Sequence, residues 1–152
     1  MKYFVEVYHK HDYGAHKENG IKKRLQSVGL KDISGVKSYT IYQIDGDYAP
    51  AQIENIAKAL LADPVLETCA VNPPAPKNIF KVEVWIRDSS TDVVGESVVD
   101  AIETLGFKRP ASVRVADAFN IDGKFDEAAL QTAVKKTYVN EVVNKFSINK
   151  YE

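Results

Sequence analysis

Scarcities bound what this 152-residue chain can be before any pattern is read. It has one cysteine, Cys69, which excludes an internal disulfide and any paired-cysteine redox or zinc motif. Cys69 stands among Thr68, Ala70 and Val71, a setting for a buried, inert thiol, because a nucleophilic thiol needs an accessible, electropositive one. No apolar run approaches the roughly 20 residues that cross a bilayer. Met1-Lys2-Tyr3-Phe4 passes directly into strand-like alternation, without the apolar core of a signal peptide. A net charge of −1 leaves no basic excess to attract nucleic acid or an anionic membrane. The expectation is a reduced, cytoplasmic protein with neither a nucleic-acid nor a membrane partner.

What the chain does have is a second beginning. Val5-Glu6-Val7-Tyr8 returns as Val82-Glu83-Val84-Trp85. A shift of about 77 residues also superposes Ile44-Asp45-Gly46 on Ile121-Asp122-Gly123, without a gap. In that register Gly29 falls on Gly106, Val36 on Val113, Lys58 on Lys135, Val65 on Val142 and Asn72 on Asn149. The expected organisation is a unit over 1–72, a Pro-rich linker over 73–78 and a second unit over 79–152. Units of about 75 residues are marginal alone, so the halves are expected to pack on each other.

Each half reads as strand–helix–long strand–helix–strand. Tyr3 to His9 alternates, Tyr3, Val5 and Val7 to one side, Phe4, Glu6 and Tyr8 to the other, which predicts a strand with one buried face. His16 to Val28 carries Ile21, Leu25 and Val28 on a helical stripe, stopped by Gly29. After a connector over 30–35, Val36 to Ile44 predicts a long strand ending at the Asp45-Gly46 turn. Pro50 opens a helix with Ile53, Ile56, Ala57 and Leu60 inward. Asp63-Pro64 breaks it before a strand over 65–71. The second half predicts a strand over 81–87, with Val82, Val84 and Ile86 on one face. A helix follows over 92–105 with Val98, Ile102 and Leu105 inward, then a strand over 113–121. A helix over 126–138 has Leu130, Val134 and Tyr138 inward, and a strand over 142–148 closes the unit. Thr40 and Asp117 interrupt the two long strands at matching positions and predict a bend or bulge. The fold class is α+β, two β-α-β-α-β units with helices packed on an antiparallel or mixed sheet. The units would meet edge to edge or face to face, as a dimer made covalent.

Chemistry-bearing motifs are thin. His9 and His11, with His16 nearby, would share a strand face and could hold a metal, although the second half offers Ile86, Asp88 and Val93 instead. Asp45-Gly46-Asp47 and Asp122-Gly123 are first of all turns. Asp92-x-x-Gly95 is a helix start, where backbone N–H groups can hold an anion, and Asp92 is more simply an N-cap. Tyr39, Ile41 and Tyr42 with Lys37 and Arg24 resemble a base-stacking sheet, and fit a protein interface equally well. No phosphate loop, dinucleotide fingerprint or catalytic triad is present. The sequence therefore assigns no catalytic, cofactor-binding or metal-binding residue, and no cofactor.

Two motifs resemble one family. Leu60-Leu61-Ala62-Asp63-Pro64-Val65-Leu66-Glu67 is similar to the ending of the PurS subunit of phosphoribosylformylglycinamidine synthase. Asp92-x-x-Gly95-x-x-Val98, continuing to Ala101-Ile102-x-x-Leu105-Gly106-Phe107, resembles the first helix of that family. Tandem PurS-like units of this kind resemble the N-terminal part of fused bacterial synthetase (PurL) subunits. The first half departs from the pattern with Ala15-His16-Lys17-Glu18, and the second with Tyr138-Val139-Asn140-Glu141-Val142. Both halves also lack the small-then-Lys pair of the long strand, having Tyr39-Thr40 and Ala116-Asp117. The resemblance implies a non-catalytic scaffold that bridges the synthetase (PurL) and glutaminase (PurQ) components. That enzyme uses ATP and glutamine to convert formylglycinamide ribonucleotide to its amidine in purine synthesis. No activity is expected of the chain alone, and none of the enzyme's catalytic residues carries over to it. The rival reading is a tandem amino-acid-sensing module of the ACT type, whose Asp-x-Pro-Gly loop is echoed only by Asp12-Tyr13-Gly14 and Asp92-Val93-Val94-Gly95.

Overall fold

Alternation makes β1 (Lys2–His9) a strand with Tyr3, Val5 and Val7 buried on one side. The computed structural model describes residues 1–151, and in it the remaining elements follow the predicted order. They are α1 (Ala15–Ser27), β2 (Ile33–Asp45), α2 (Pro50–Ile56), β3 (Glu67–Val71), β4 (Phe80–Ile86), α3 (Val93–Thr104), β5 (Ser112–Gly123), α4 (Glu127–Thr137) and β6 (Asn144–Lys150). Helix α2 continues into a π-helical segment, Ala57–Leu61. The strands form one antiparallel sheet in the order β3-β1-β2-β5-β4-β6.

Registers recur along the chain. Tyr3 faces Ile44 and Val5 faces Tyr42; about 77 residues on, Phe80 faces Ile121 and Val82 faces Phe119. The edge pairing of Val5 with Val71 returns as Val82 with Ile148. Between β2 and β5, Val36 meets Ile121 and Ile44 meets Val113, with Thr40 opposite Asp117 at the centre. The polar pair therefore sits in unbroken pairing, and the predicted bulge there is absent. The one shift in this ladder lies between Ile33 and Gly35.

All four helices pack on a single face of the sheet, in two apolar clusters. One joins Ile53, Ile56 and Leu61 of α2 and its extension to Val99 and Ile102 of α3, over Tyr3, Val5, Val7 and Ile44. The other joins Ile21 and Leu25 of α1 to Leu130, Ala133 and Val134 of α4, over Phe80, Val82, Phe119 and Ile121. The first helix of each half contacts the long strand of its own half and joins a cluster that also takes in strands of the other half. Full burial of a side chain such as Leu25, Ile102 or Leu130 stabilises by about 1.5–3 kcal/mol, so the halves share one store of stability.

Several inward positions differ from the sequence pattern for identifiable reasons. Leu61, not Leu60, is buried, because the π turn (Ala62 N–H to the Ala57 carbonyl, 3.1 Å) advances the apolar stripe by one residue. On α3 the buried face is Gly95, Val99 and Ile102, while Val98 is only part-buried and Leu105 is exposed. On α4 Ala133 joins Leu130 and Val134, and Tyr138 falls just beyond the helix, part-buried against Phe119. β3 starts at Glu67 rather than Val65, because the Asp63 carboxylate accepts the N–H groups of Val65 (2.8 Å) and Leu66 (3.1 Å) and holds them in a turn. β2 begins earlier than predicted, at Ile33, and β6 later, at Asn144.

The two halves secure the long strands with different side chains. Beyond the end of β1, the Ser38 N–H is free of the ladder and donates to Glu18 Oε2 at 2.7 Å. In the second half the Val115 N–H donates to Asp92 Oδ2 at 2.9 Å, while Asp92 Oδ1 caps α3 through the Gly95 N–H at 2.8 Å. Helices α1 and α3 end at Gly29 and Gly106, both at positive φ (100° and 94°), which glycine alone adopts without a steric penalty.

Candidate functional site

The face of the sheet without helices is where the polar chemistry gathers. Strand alternation places Phe4, Glu6 and Tyr8 of β1, Tyr39 and Ile41 of β2, Ala116, Ala118 and Asn120 of β5, and Lys81, Glu83 and Trp85 of β4 on it. Tyr39, Ile41, Ala116 and Ala118 are buried there, with Tyr8 and Trp85 against them. Glu6 is buried too, on the side of β1 where the sequence pattern expected solvent.

A network of charges and phenols covers these residues. The Lys81 ammonium lies 2.9 Å from Glu6 Oε2, with the two side chains 12% and 8% exposed. The Tyr8 hydroxyl donates to the other Glu6 oxygen, and the Tyr39 hydroxyl donates to Asn120 Oδ1 at 2.8 Å. The Tyr8 and Tyr39 rings are 5.0 Å apart, and the Lys81 ammonium stands 5.9 Å from the Tyr39 ring centre. Burial, then the hydrogen bond and charge of Glu6, hold the Tyr8 hydroxyl well above the ordinary tyrosine range. Tyr39 is raised likewise, first by burial and then by Glu6. Both phenols therefore stay protonated donors at neutral pH, and both Glu6 oxygens are engaged. The arrangement orders this face of the sheet.

The sequence-predicted candidates fall elsewhere. β1 ends at His9, so His11 leaves the strand through a positive φ of 53° and its ring meets Tyr13 edge-on at 5.9 Å. His9 instead backs onto Gly14, and His16 is exposed on α1. Among the described residues no three His, Cys, Asp or Glu side chains converge on a metal geometry. Asp45 and Asp47 lie 3.6 and 3.9 Å from the N-terminal ammonium, and Asp122 caps the Gly123 N–H. Asp92 and Gly95 satisfy each other, which uses the N–H an anion would need. Asp12 accepts the Ala15 N–H through its carbonyl at the turn into α1. Burial and Glu54 push the half-buried Cys69 thiol upward, away from thiolate character. Of the supposed stacking set, Tyr39 and Ile41 are buried, Tyr42 faces the helices, and Arg24 lies 4.8 Å over Tyr138. Those side chains offer bases no platform.

A larger cavity, about 550 Å³, lies between the connections that flank α3 and is lined by Ser89, Thr91, Asp92, Asp100, Arg109 and Arg114 among others. Its arginines are engaged within the chain. Arg109 binds Asp100 (3.0 Å) and Glu103 (3.2 Å), and Arg114 donates to the carbonyls of Ile86 and Arg87. Sequence reasoning passed over Glu6, Lys81 and Glu83. Their signal was charge at outward strand positions flanked by outward aromatics, Phe4, Tyr8 and Trp85, which a merely solvated face does not need.

Comparison with protein families matches residues 79–152 to PurS, described as phosphoribosylformylglycinamidine (FGAM) synthase. Comparison with curated proteins finds no match. The matched stretch spans β4 to β6 and includes Asp92, Gly95 and the outward Lys81, Glu83 and Trp85. Residues 79–152 therefore form a PurS-like domain, of the kind associated with FGAM synthase in purine biosynthesis.

Proposed function

We propose that this chain is a non-catalytic scaffold of FGAM synthase, in which two PurS-like units form a covalent pseudo-dimer that bridges the glutaminase and synthetase components. The observation that carries the reading is the recurrence of the PurS-matched strand pairings, at an offset of about 77 residues, in the half that the family match does not cover. The shared clusters favour it as well, since α1 meets α4, and α3 shares a cluster with α2, across the boundary between the halves. A scaffold needs a rigid surface rather than poised acids and bases, and the locked phenols and ion pair of the open face are such a surface.

Association decides the matter. In a reconstitution with synthetase and glutaminase components, the chain is expected to co-migrate with one or both in size-exclusion chromatography. It is also expected to show no thermal shift with free amino acids that lack a side-chain ammonium. A shift with such amino acids, without any association, would favour a sensing module and remove the scaffold reading.

The pseudo-dimer has its own test. A fragment of residues 1–72 would bare the β2 edge that β5 now covers, and the apolar face of α1 that now meets α4. The fragment is expected to dimerise or aggregate in analytical ultracentrifugation. A stably folded monomer would count against the shared core.

A further inference from the structure

The two halves present the same carboxylate on the open face but not the same cation. At the offset of about 77 residues Glu6 corresponds to Glu83, Tyr8 to Trp85, and Lys81 to Phe4. Lys81 reaches across the sheet to Glu6. The corresponding reach, from position 4 to Glu83, has a phenyl ring where an ammonium would be. Glu83 is in no ion pair within 4 Å among the described residues and accepts a hydrogen bond from the Ser147 hydroxyl at 3.5 Å. A cavity of about 250 Å³ lies at this place, lined by Phe4, Glu6, Ile41, Pro73, Lys81 and Glu83. That is several times the roughly 30 Å³ share of one water molecule.

We propose that this cavity binds a primary ammonium group on an alkyl stem, with its charge on Glu83 and its stem along Phe4 and Ile41. Lys81 is the internal pattern for such a ligand: an alkyl stem laid over the buried strand residues, ending on a half-hidden carboxylate. A carboxylate in a partly desolvated setting gains more from a cation than an exposed one does. The apolar stem is matched by the Phe4 ring, which is 40% exposed and would be covered on binding. The inference stands on the geometry of this cavity and does not depend on the scaffold reading.

The test is a titration of the full chain at constant ionic strength, read by the Glu83 carboxyl carbon resonance and by the fluorescence of Trp85, the single tryptophan. The probes are n-butylammonium chloride and Nα-acetyl-lysine-N-methylamide, with n-butanol as the uncharged control. Saturable shifts with an amine, and none with butanol, are expected. The E83Q variant keeps the shape and removes the charge, and is expected to bind at least about tenfold more weakly. The F4K variant should supply the cation from the chain itself and abolish the response, with an unchanged far-UV circular dichroism spectrum. Response to the lysine derivative alone identifies a side chain of a polypeptide as the ligand, and response to butylammonium alone a free amine. Absence of saturation with both probes, or saturation that persists in E83Q, overturns the proposal.

Discussion

Replacing Gly95 by alanine is expected to destabilise the fold by about 3 kcal/mol or more, at the upper end of overpacking effects, and to lower Tm by roughly 10 °C for a chain of this size. A Cβ at Gly95 would stand 2.0 Å from the Val113 carbonyl oxygen, 3.0 Å from its carbon and 3.1 Å from the Asp92 carboxyl carbon. None of these atoms can move aside cheaply. Val113 is buried and paired with Ile44 in the central ladder, and Asp92 is fixed by both α3 and β5. Relief therefore requires α3 to lift off the sheet, opening the cluster that Val99 and Ile102 fill. Gly20, in the interior of α1, is the control, since a Cβ there meets nothing within 4 Å. G20A is expected to stabilise by about 0.5–1 kcal/mol through reduced backbone freedom in the unfolded chain. Urea unfolding of both variants checks the pair, and equal effects at the two glycines would refute the close-approach argument.

The second large effect concerns Lys81. Its removal in K81M leaves Glu6 charged and buried without its cation, and stranding one member of a buried pair costs about 3–5 kcal/mol. The pair itself need not be worth that much, because bringing both ions out of water opposes most of their attraction. The double variant E6Q/K81M is therefore expected to recover much of the loss. The side-chain amide that E6Q introduces retains a carbonyl oxygen for the Tyr8 hydroxyl, so that donor is not orphaned. A double-mutant cycle in urea measures the coupling. Additive losses would mean that the 2.9 Å contact does not act as a unit. Glu6 and Lys81 come from different halves of the chain, so this cycle also reports on how firmly the halves are joined.

Much of the fold was legible because strand and helix periods are local properties. Alternation at Tyr3, Val5 and Val7, the cap at Asp92, and the stops at Gly29 and Gly106 are each written within a few residues. The misplacements arose where a long-range contact reset the phase. A π turn moved burial from Leu60 to Leu61, and the approach of Gly95 to β5 centred α3 on Val99. His11 left its strand because β1 ends against the turn into α1. The open face was illegible for a different reason. Glu6 and Lys81 lie far apart in sequence and meet only when four strands, β1, β2, β5 and β4, stand side by side.

By itself the sequence determined the repeated order of elements, the apolar stripes and the resemblance to PurS, because short-range periodicity and local motifs carry each of these. Tertiary structure alone decided that the long strands pair along their length in one sheet and that the apolar clusters under the helices span both halves. It also decided that one face carries a buried ion pair beside a cavity. Those features depend on which distant residues become neighbours, and hydrophobic periodicity states only which side of an element seeks cover, not what will cover it.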